Sequence, residues 1–133
     1  MANYAEGFRD IPGTTVFDAS KSRMGYHLNM FCMSLMNAEN RADFKADEPA
    51  YLDAFPITAG QRCAIFDRNY NRMIELGGNI FFLVRIGATD GKSVLSVVAG
   101  MTGTTQEDYM SMMAAGGRSI EGNRSLQEWA NRG

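Results

Sequence analysis

The sequence predicts a mainly α-helical protein built as a single small domain. Its 133 residues suit one compact core, since about 100–150 residues is the commonest domain size. Apolar residues recur every third or fourth position in several segments, as they do on one face of a helix. Several of these segments start near Asp or Thr and end at Gly-Gly pairs, which favours helix boundaries there. We expect an extended N-terminal arm at residues 1–17, a helical domain at residues 18–117 and a tail at residues 118–133.

The first predicted helix follows Asp18, a suitable N-cap residue. Apolar residues at helical spacing define one face of it: Met24, Leu28, Phe31 and Leu35. Methionines widen this stripe: Met30, Met33 and Met36. A helix that is apolar over so much of its surface is buried in its own domain or under a partner. Flexible methionine side chains suit an irregular core and an adaptable interaction surface equally, so both interpretations stay open.

Two short helices are predicted between residues 37 and 55. They separate at Asp47-Glu48-Pro49, because Asp caps a helix and Pro is tolerated in its first turn. The clearest helix of the chain then starts at Thr58 and Gln61, which have capping-box spacing, and stops at Gly77-Gly78. Four side chains are expected on its inner face: Cys63, Phe66, Tyr70 and Met73.

The segments after Gly78 are harder to assign. Residues 80–86 are nearly all apolar and fit a buried strand or a short buried helix; we favour the helix because no second strand-like segment is present to pair with a strand. The β-branched content of residues 94–98 argues against an all-helical fold. A last helix is predicted from Thr105 to Gly116-Gly117, with three residues inward: Tyr109, Met112 and Met113.

Charge and hydropathy exclude some classes of partner. The formal net charge is −2 and no Lys/Arg stripe is present, so we expect no nucleic-acid binding. No apolar run approaches the roughly 20 residues of a membrane span, and residues 1–10 lack a signal-peptide core. Cys32 and Cys63 are expected as reduced core thiols. These observations favour a cytoplasmic protein.

The chain is poor in catalytic groups. His27 is its only histidine, whereas non-heme iron and catalytic zinc sites commonly need two or three imidazoles. Cys32 and Cys63 lack the spacing of a structural zinc site. We therefore expect no catalytic residue and no metal ligand set in this chain. His27 itself is interpreted either as a half-buried structural residue or as a proton carrier at an interface.

A glycine-rich stretch superficially resembles a phosphate-binding loop. Only three residues separate Gly87 from Gly91-Lys92-Ser93, where the phosphate-loop motif has four, and Asp90 would repel phosphate. We favour a connection between helices in which Asp90-Gly91 makes the turn.

Several longer motifs follow one another along the chain: Gly25-Tyr26-His27-Leu28-Asn29-Met30-Phe31-Cys32-Met33-Ser34-Leu35-Met36, Ala38-Glu39-Asn40-Arg41, Phe44-Lys45-Ala46-Asp47-Glu48, Ala50-Tyr51-Leu52-Asp53, Gly77-Gly78-Asn79, Thr89-Asp90-Gly91-Lys92-Ser93, Met101-Thr102-Gly103 and Gly116-Gly117-Arg118-Ser119. Their residues and their order resemble the alpha subunit family of protocatechuate 4,5-dioxygenase, of the class III extradiol type. The resemblance covers roughly residues 10–119.

The resemblance implies a small helical subunit on a larger beta subunit that binds Fe(II) through two His and one Glu. It implies an alpha-two beta-two assembly that opens a catechol-type ring with O2, the substrate lying at the interface. The role implied for this chain is a lid that keeps water from the site. The alternative is a stand-alone helical interaction protein without an iron-bearing partner.

Two sets of residues follow from the resemblance. The region nearest the substrate is predicted to include Phe81, Phe82, Thr89, Asp90, Lys92, Val94 and Leu95, although Phe81 and Phe82 also fit a plain core. The subunit interface is predicted to include Tyr26, Met30, Met33 and Trp129, although Trp129 also fits a tail folded back on its own domain. Phe81 and Val94 stand where the family commonly has Tyr and Phe, which favours a bulkier or less polar ring than protocatechuate.

Overall fold

The computed structural model describes Ile11, residues 14–119, residues 127–128 and Asn131. These residues contain helices and no strand, which confirms the predicted mainly α fold. The predicted turn at Pro12-Gly13 lies outside them. Nine α-helices follow one another in this part of the chain: α1 Ala19–Met24, α2 Tyr26–Ser34, α3 Ala38–Ala46, α4 Glu48–Leu52, α5 Ala59–Phe66, α6 Tyr70–Glu75, α7 Ile80–Thr89, α8 Val94–Met101 and α9 Gln106–Ala114.

The first predicted helix is in fact two helices. Asp18 caps α1 as expected, accepting a hydrogen bond from the Lys21 N–H at 2.9 Å, but α1 ends at Met24 and α2 begins after Gly25. The break turns Met24 outward and leaves it 48% exposed, so its predicted place on the buried face is wrong. The other members of that face are buried: Leu28, Phe31 and Leu35.

The break at Gly25 coincides with a close contact between two backbones. A Cβ atom on Gly25 would lie 1.8 Å from the carbonyl oxygen of Gly77, so the two backbones touch where no side chain fits. Gln61 holds this contact closed, because its buried side-chain amide donates to the carbonyl oxygens of Met24 and Leu76, each at 3.0 Å. The contact ties the start of α2 to the loop that leads into α7.

The two short helices predicted after residue 37 are present as α3 and α4. Asn37 caps α3, accepting from the Glu39 N–H at 2.8 Å, and Asp47 caps α4, accepting from the Ala50 N–H at 3.1 Å. Pro49 lies in the first turn of α4, where its missing N–H leaves no hydrogen bond unmade. The predicted separation at Asp47 is confirmed.

The helix predicted from Thr58 to Gly77 is interrupted. α5 begins with the predicted reciprocal capping box, but it ends at Phe66, and α6 begins only at Tyr70. Between them Arg68 has a φ of 51°, a left-handed conformation that cannot continue a right-handed helix. The single apolar face is therefore wrong: Tyr70 and Met73 are buried, whereas Cys63 and Phe66 are exposed.

Both ambiguous segments are helical. α7 is capped by Asn79, whose Oδ1 accepts from the Phe81 N–H at 3.0 Å, which confirms the choice of helix over strand. The β-branched segment forms α8, capped by Ser93. Gly87 of α7 lets α8 approach closely, since a Cβ there would lie 2.5 Å from Cγ2 of Val97. Tertiary packing thus overrides the weak helix propensity of α8.

The last helix has the predicted ends. Thr105 caps α9, accepting from the Asp108 N–H at 3.1 Å, and Gly116-Gly117 end it in left-handed conformations with φ of 114° and 93°. Met113 is 53% exposed, so its predicted inward position is wrong. The other two residues predicted to point inward are half-buried: Tyr109 and Met112.

An aromatic cluster forms the centre of the core between α2, α3 and α4. The ring centroid of Phe31 lies 5.2 Å from that of Phe44 and 5.7 Å from that of Phe55. Tyr51 joins them at 5.8 Å from Phe44, and its hydroxyl shares a hydrogen bond of 2.6 Å with Ser34. These separations and tilted ring planes are the favourable ones for aromatic pairs.

Candidate subunit and substrate surface

The described residues offer no ligand set for a metal ion. No group of three or more His, Cys, Asp or Glu side chains is close enough together in this part of the chain to hold one. His27 lies exposed on α2, its ring 5.1 Å from that of Tyr26 in an edge arrangement, so the half-buried interpretation is wrong. The described residues do not fit an Fe(II) site.

The two phenylalanines at the start of α7 have opposite surroundings. Phe81 is 79% exposed, which excludes a plain core role for it. Phe82 is partly buried and packs against the core cluster. The Phe81 ring, in the first turn of a capped helix, is therefore available for contact with another molecule.

Thr89 and Asp90, predicted near the substrate, make contacts within the chain. Thr89 is buried, and its hydroxyl donates to the carbonyl oxygen of Arg85 at 2.8 Å. Both carboxylate oxygens of Asp90 accept from the Arg68 guanidinium, at 2.8 and 3.1 Å. Both side chains therefore hold the end of α7 in place.

Arg68 is the centre of a charged network. It joins the start of α4, the connection between α5 and α6, and the connection between α7 and α8. Besides Asp90, its guanidinium pairs with Glu48 and donates to the carbonyl oxygen of Ile65 at 2.7 Å, and it lies over the ring of Phe44. Burial alone lowers the pKa of Arg68, but its hydrogen bonds to Asp90 and Glu48 outweigh burial and raise it. These contacts stabilise the left-handed backbone at Arg68.

The loop and first turn of α8 form an exposed surface. Val94 is 57% and Leu95 is 42% exposed, and Lys92 is exposed beside them in the sequence. The Lys92 backbone N–H donates to the carbonyl oxygen of Gly87 at 2.8 Å, which fixes the loop to the end of α7. These side chains project from an anchored backbone.

The residues predicted for the subunit interface fall partly on the exposed side of α2. Tyr26 is 56% exposed, Met33 is 39% exposed and Met30 is half-buried. Trp129 lies outside the described residues, so its predicted role stays a prediction. α2 thus buries Leu28 on one side and presents aromatic and thioether groups on the other.

A groove of about 950 Å³ opens beside Phe81, and the sequence had not indicated it. Its walls come from the segment before α1 and from α6, α7, α8 and α9. Among its lining residues are Phe17, Ile74, Ile80, Phe81, Val98 and Tyr109. No local motif marks them, because segments far apart in sequence supply the walls.

A smaller cavity of about 190 Å³ lies between α6 and α8 and is lined in part by Tyr70, Lys92 and Ser96. Among the described residues the buried Tyr70 hydroxyl has no hydrogen-bond partner. Burial, and next the negative charge of Asp90, raise the pKa of Tyr70 to about 12. Tyr70 therefore stays a neutral phenol at neutral pH.

The helical fold and the amino-acid sequence together define the class of protein. Residues 28–114 match the family model described as aromatic-ring-opening dioxygenase LigAB, LigA subunit. This match covers more than half of the chain, and the chain belongs to that family.

One curated relative carries a more specific name. The chain is 26% identical over 110 residues to a gallate dioxygenase of Pseudomonas putida strain KT2440. The matched region is 83% of this chain but 32% of that relative, so the chain spans about a third of the relative's length. Among the described helices none is long and apolar enough to cross a membrane.

Proposed function

We propose that this chain is the small, non-catalytic subunit of a two-subunit, Fe(II)-dependent extradiol dioxygenase, and that it covers the active site of its larger partner. The enzyme opens the ring of protocatechuate or a related catechol with O2. The observation that carries the proposal is the exposure of three apolar side chains, Phe81, Val94 and Leu95, in a chain of the LigA-subunit family.

In this proposal the iron is held by the large subunit and supplies the site at which the catechol and O2 meet. The small subunit contributes shape and exclusion of water. Phe81 and the exposed turn at Val94 and Leu95 cover the substrate, because an apolar lid keeps water out and limits the ring to one orientation. The capped starts of α7 and α8 suit a lid, since residues on rigid helices hold a substrate ring in place more precisely than residues on a free loop would.

Tyr26, Met30, Met33 and Trp129 are proposed to contact the large subunit. Aromatic and thioether side chains are common at the centres of protein interfaces. We place two small and two large subunits in the assembly, with the catechol at the interface between them. Cys32 and Cys63 are free thiols, which suits the reducing cytoplasm that we propose as the location.

The substrate preference is proposed to depend on Phe81 and Val94. Both side chains are exposed, so each is free to face a ring on the partner. Phe81 lacks the hydroxyl that a Tyr would offer to a polar substituent, and Val94 leaves space that a Phe would fill. Because the Pseudomonas putida relative is named a gallate dioxygenase, gallate is the second substrate class to test beside protocatechuate.

The alternative function is a stand-alone helical interaction protein that has lost its iron-bearing partner. The same exposed apolar side chains favour it, because they would serve any protein partner. The two functions differ in one respect: only the first requires ring-opening activity when the large subunit is present.

Oxygen uptake tests the proposal directly. This chain is co-expressed with a large subunit of the LigAB type from the same organism, loaded with Fe(II) and assayed with protocatechuate, gallate and less polar catechols, alongside each subunit alone. We expect rapid uptake only from the pair, with the large subunit alone slower by at least about tenfold because its site is open to water. Equal rates with and without this chain would contradict the lid, and absence of a stable pair would favour the stand-alone protein.

Paired substitutions test the substrate preference. Phe81→Tyr and Val94→Phe are expected to shift relative kcat/KM among the catechols toward protocatechuate by roughly tenfold, as one well-placed polar or steric contact does. Phe66→Tyr is the matched control, since Phe66 is also exposed but lies on α5. Unchanged ratios in the Phe81 and Val94 variants would contradict their role.

A further inference from the structure

The start of α7 is connected to the middle of α2 by one buried amide. Asn29 is 8% exposed, and its Nδ2 donates to the carbonyl oxygen of Gly77 at 3.2 Å. Its Oδ1 accepts from the backbone N–H of Asn79 at 2.9 Å. A single side chain thus bonds the backbone at two places in the turn that leads into α7.

The next contact in this chain of hydrogen bonds reaches Phe81. Asn79, whose N–H is held by Asn29, uses its own Oδ1 to accept from the Phe81 N–H at 3.0 Å. The backbone of Phe81 is therefore two hydrogen bonds from Asn29. Because the Phe81 side chain is 79% exposed, its place depends mainly on the backbone that these hydrogen bonds hold.

The surrounding backbone cannot relax to replace Asn29. Gly25 and Gly77 touch without room for a Cβ atom. The amide of Gln61 bridges the carbonyl oxygens of Met24 and Leu76 on the same side of the turn. A change at Asn29 consequently acts on the Asn79 N–H that it holds, and through Asn79 on the first turn of α7.

We propose that Asn29 is a positioning residue that sets Phe81 over the substrate, and that it links the partner-facing helix α2 to the substrate-facing start of α7. Tyr26 and Met33 flank Asn29 along α2 and are both exposed. Docking of α2 on the large subunit therefore fixes the Phe81 ring through Asn29 and Asn79. This inference rests on the proposed function, in which Phe81 covers the ring.

Asn29→Asp tests the inference in the assembled pair, with whichever of protocatechuate and gallate the wild-type pair opens. Asp keeps the side-chain shape and an acceptor for the Asn79 N–H, but it replaces the donor to Gly77 with an oxygen that faces another oxygen. We expect KM for the aromatic substrate to rise roughly five- to tenfold while kcat changes less than about threefold, since binding geometry rather than chemistry is altered.

A double-mutant cycle separates positioning from general loss of structure. In a Phe81→Ala background, Asn29→Asp is expected to change KM by less than about twofold, because the residue through which Asn29 acts is gone. Multiplicative effects of the two substitutions would overturn the proposal. Asn40→Asp is the matched control. The Asn40 side-chain amide donates to the carbonyl oxygen of Ser34 at 2.9 Å, far along the chain from Phe81, and the substitution removes this donor. We expect KM to stay within about twofold of the wild-type value.

If Asn29→Asp does not assemble with the large subunit, Asn29→Ser replaces it, since Ser shortens the side chain without adding charge. Failure of both variants to assemble would make Asn29 a folding residue and overturn the inference. A wild-type pair without ring-opening activity would instead overturn the proposed function. An active pair in which Asn29→Asp leaves KM unchanged overturns the inference alone.

Discussion

The aromatic residues between α2 and α4 and the apolar residues at the starts of α7 and α8 are similar in chemistry but opposite in surroundings. Phe31 and Phe44 are fully buried and meet each other at 5.2 Å. Phe81 and Val94 are 79% and 57% exposed, on helices whose backbones are capped and anchored. We call these regions the aromatic core and the exposed ridge.

The difference separates apolar side chains that stabilise the fold from apolar side chains that the fold leaves exposed to solvent. Side chains of the aromatic core find their partners inside the chain, so burial already accounts for them. Side chains of the exposed ridge leave apolar area in water that folding did not require, which is the property of a contact surface. Substitutions at matched positions in the core and on the surface test this difference.

The largest contrast is between two phenylalanines. Phe31→Ala is expected to lower the free energy of unfolding by about 3–5 kcal/mol, because it removes a fully buried ring and leaves a cavity. Phe81→Ala is expected to change it by less than about 0.5 kcal/mol, since the ring is in solvent. Urea unfolding followed by circular dichroism measures both. Similar losses from the two substitutions would abolish the distinction between core and ridge.

Two glycines extend the comparison to the backbone, because one lies in a close backbone contact and the other faces open space. Gly25→Ala is expected to destabilise the fold by about 1–3 kcal/mol, because the new Cβ would meet the carbonyl group of Gly77. Gly100→Ala, on α8, is expected to stabilise by roughly 0.5–1 kcal/mol, since it places Ala in a helix with open space around the Cβ. Thermal melts compare them. A tolerated Gly25→Ala would contradict the close backbone contact.

Alkaline pH should weaken the aromatic core through Cys32. Burial raises the pKa of the Cys32 thiol from 9.0 to about 12, so between these values the folded state binds more protons than the unfolded state. The contribution of this thiol to stability is thus complete below pH 9 and falls as the pH rises toward 12, by about 1 kcal/mol at pH 10. Urea unfolding from pH 7 to pH 10 tests this. Cys32→Ala should flatten the profile, and an unchanged slope in that variant would exclude Cys32 as its cause.

The smallest expected effect is at Tyr70, where α6 meets α7 and α8. Removing its buried hydroxyl in Tyr70→Phe is expected to stabilise the chain by up to about 1 kcal/mol, since the hydroxyl has no hydrogen-bond partner among the described residues. Tyr51→Phe is the control with the opposite sign, because the Tyr51 hydroxyl bonds Ser34 at 2.6 Å. Equal destabilisation in both would show that Tyr70 has a partner.

Caps and stop signals made much of the helix pattern predictable. Asp18, Asp47, Thr58 and Thr105 each cap a helix as their side chains and spacing indicate. The exposed ridge was predicted only in part. Phe81 and Val94 lie at the surface, but nothing in the adjacent Phe81 and Phe82 showed which ring would point inward, because that depends on the direction of α7 relative to α2.

The sequence by itself determined the fold class, most helix starts and the family. Helix caps, glycine stops and ordered motifs are local features, so they can be recognised in the sequence without the tertiary structure. Only the tertiary structure decided where the long helices break. Arg68, left-handed after the end of α5, has its guanidinium held by Glu48 and Asp90, which are distant in sequence. Gly25, between α1 and α2, lies where the backbone of Gly77 leaves no room for a Cβ atom. Such contacts join residues about 20 to 50 positions apart, and no local pattern encodes them.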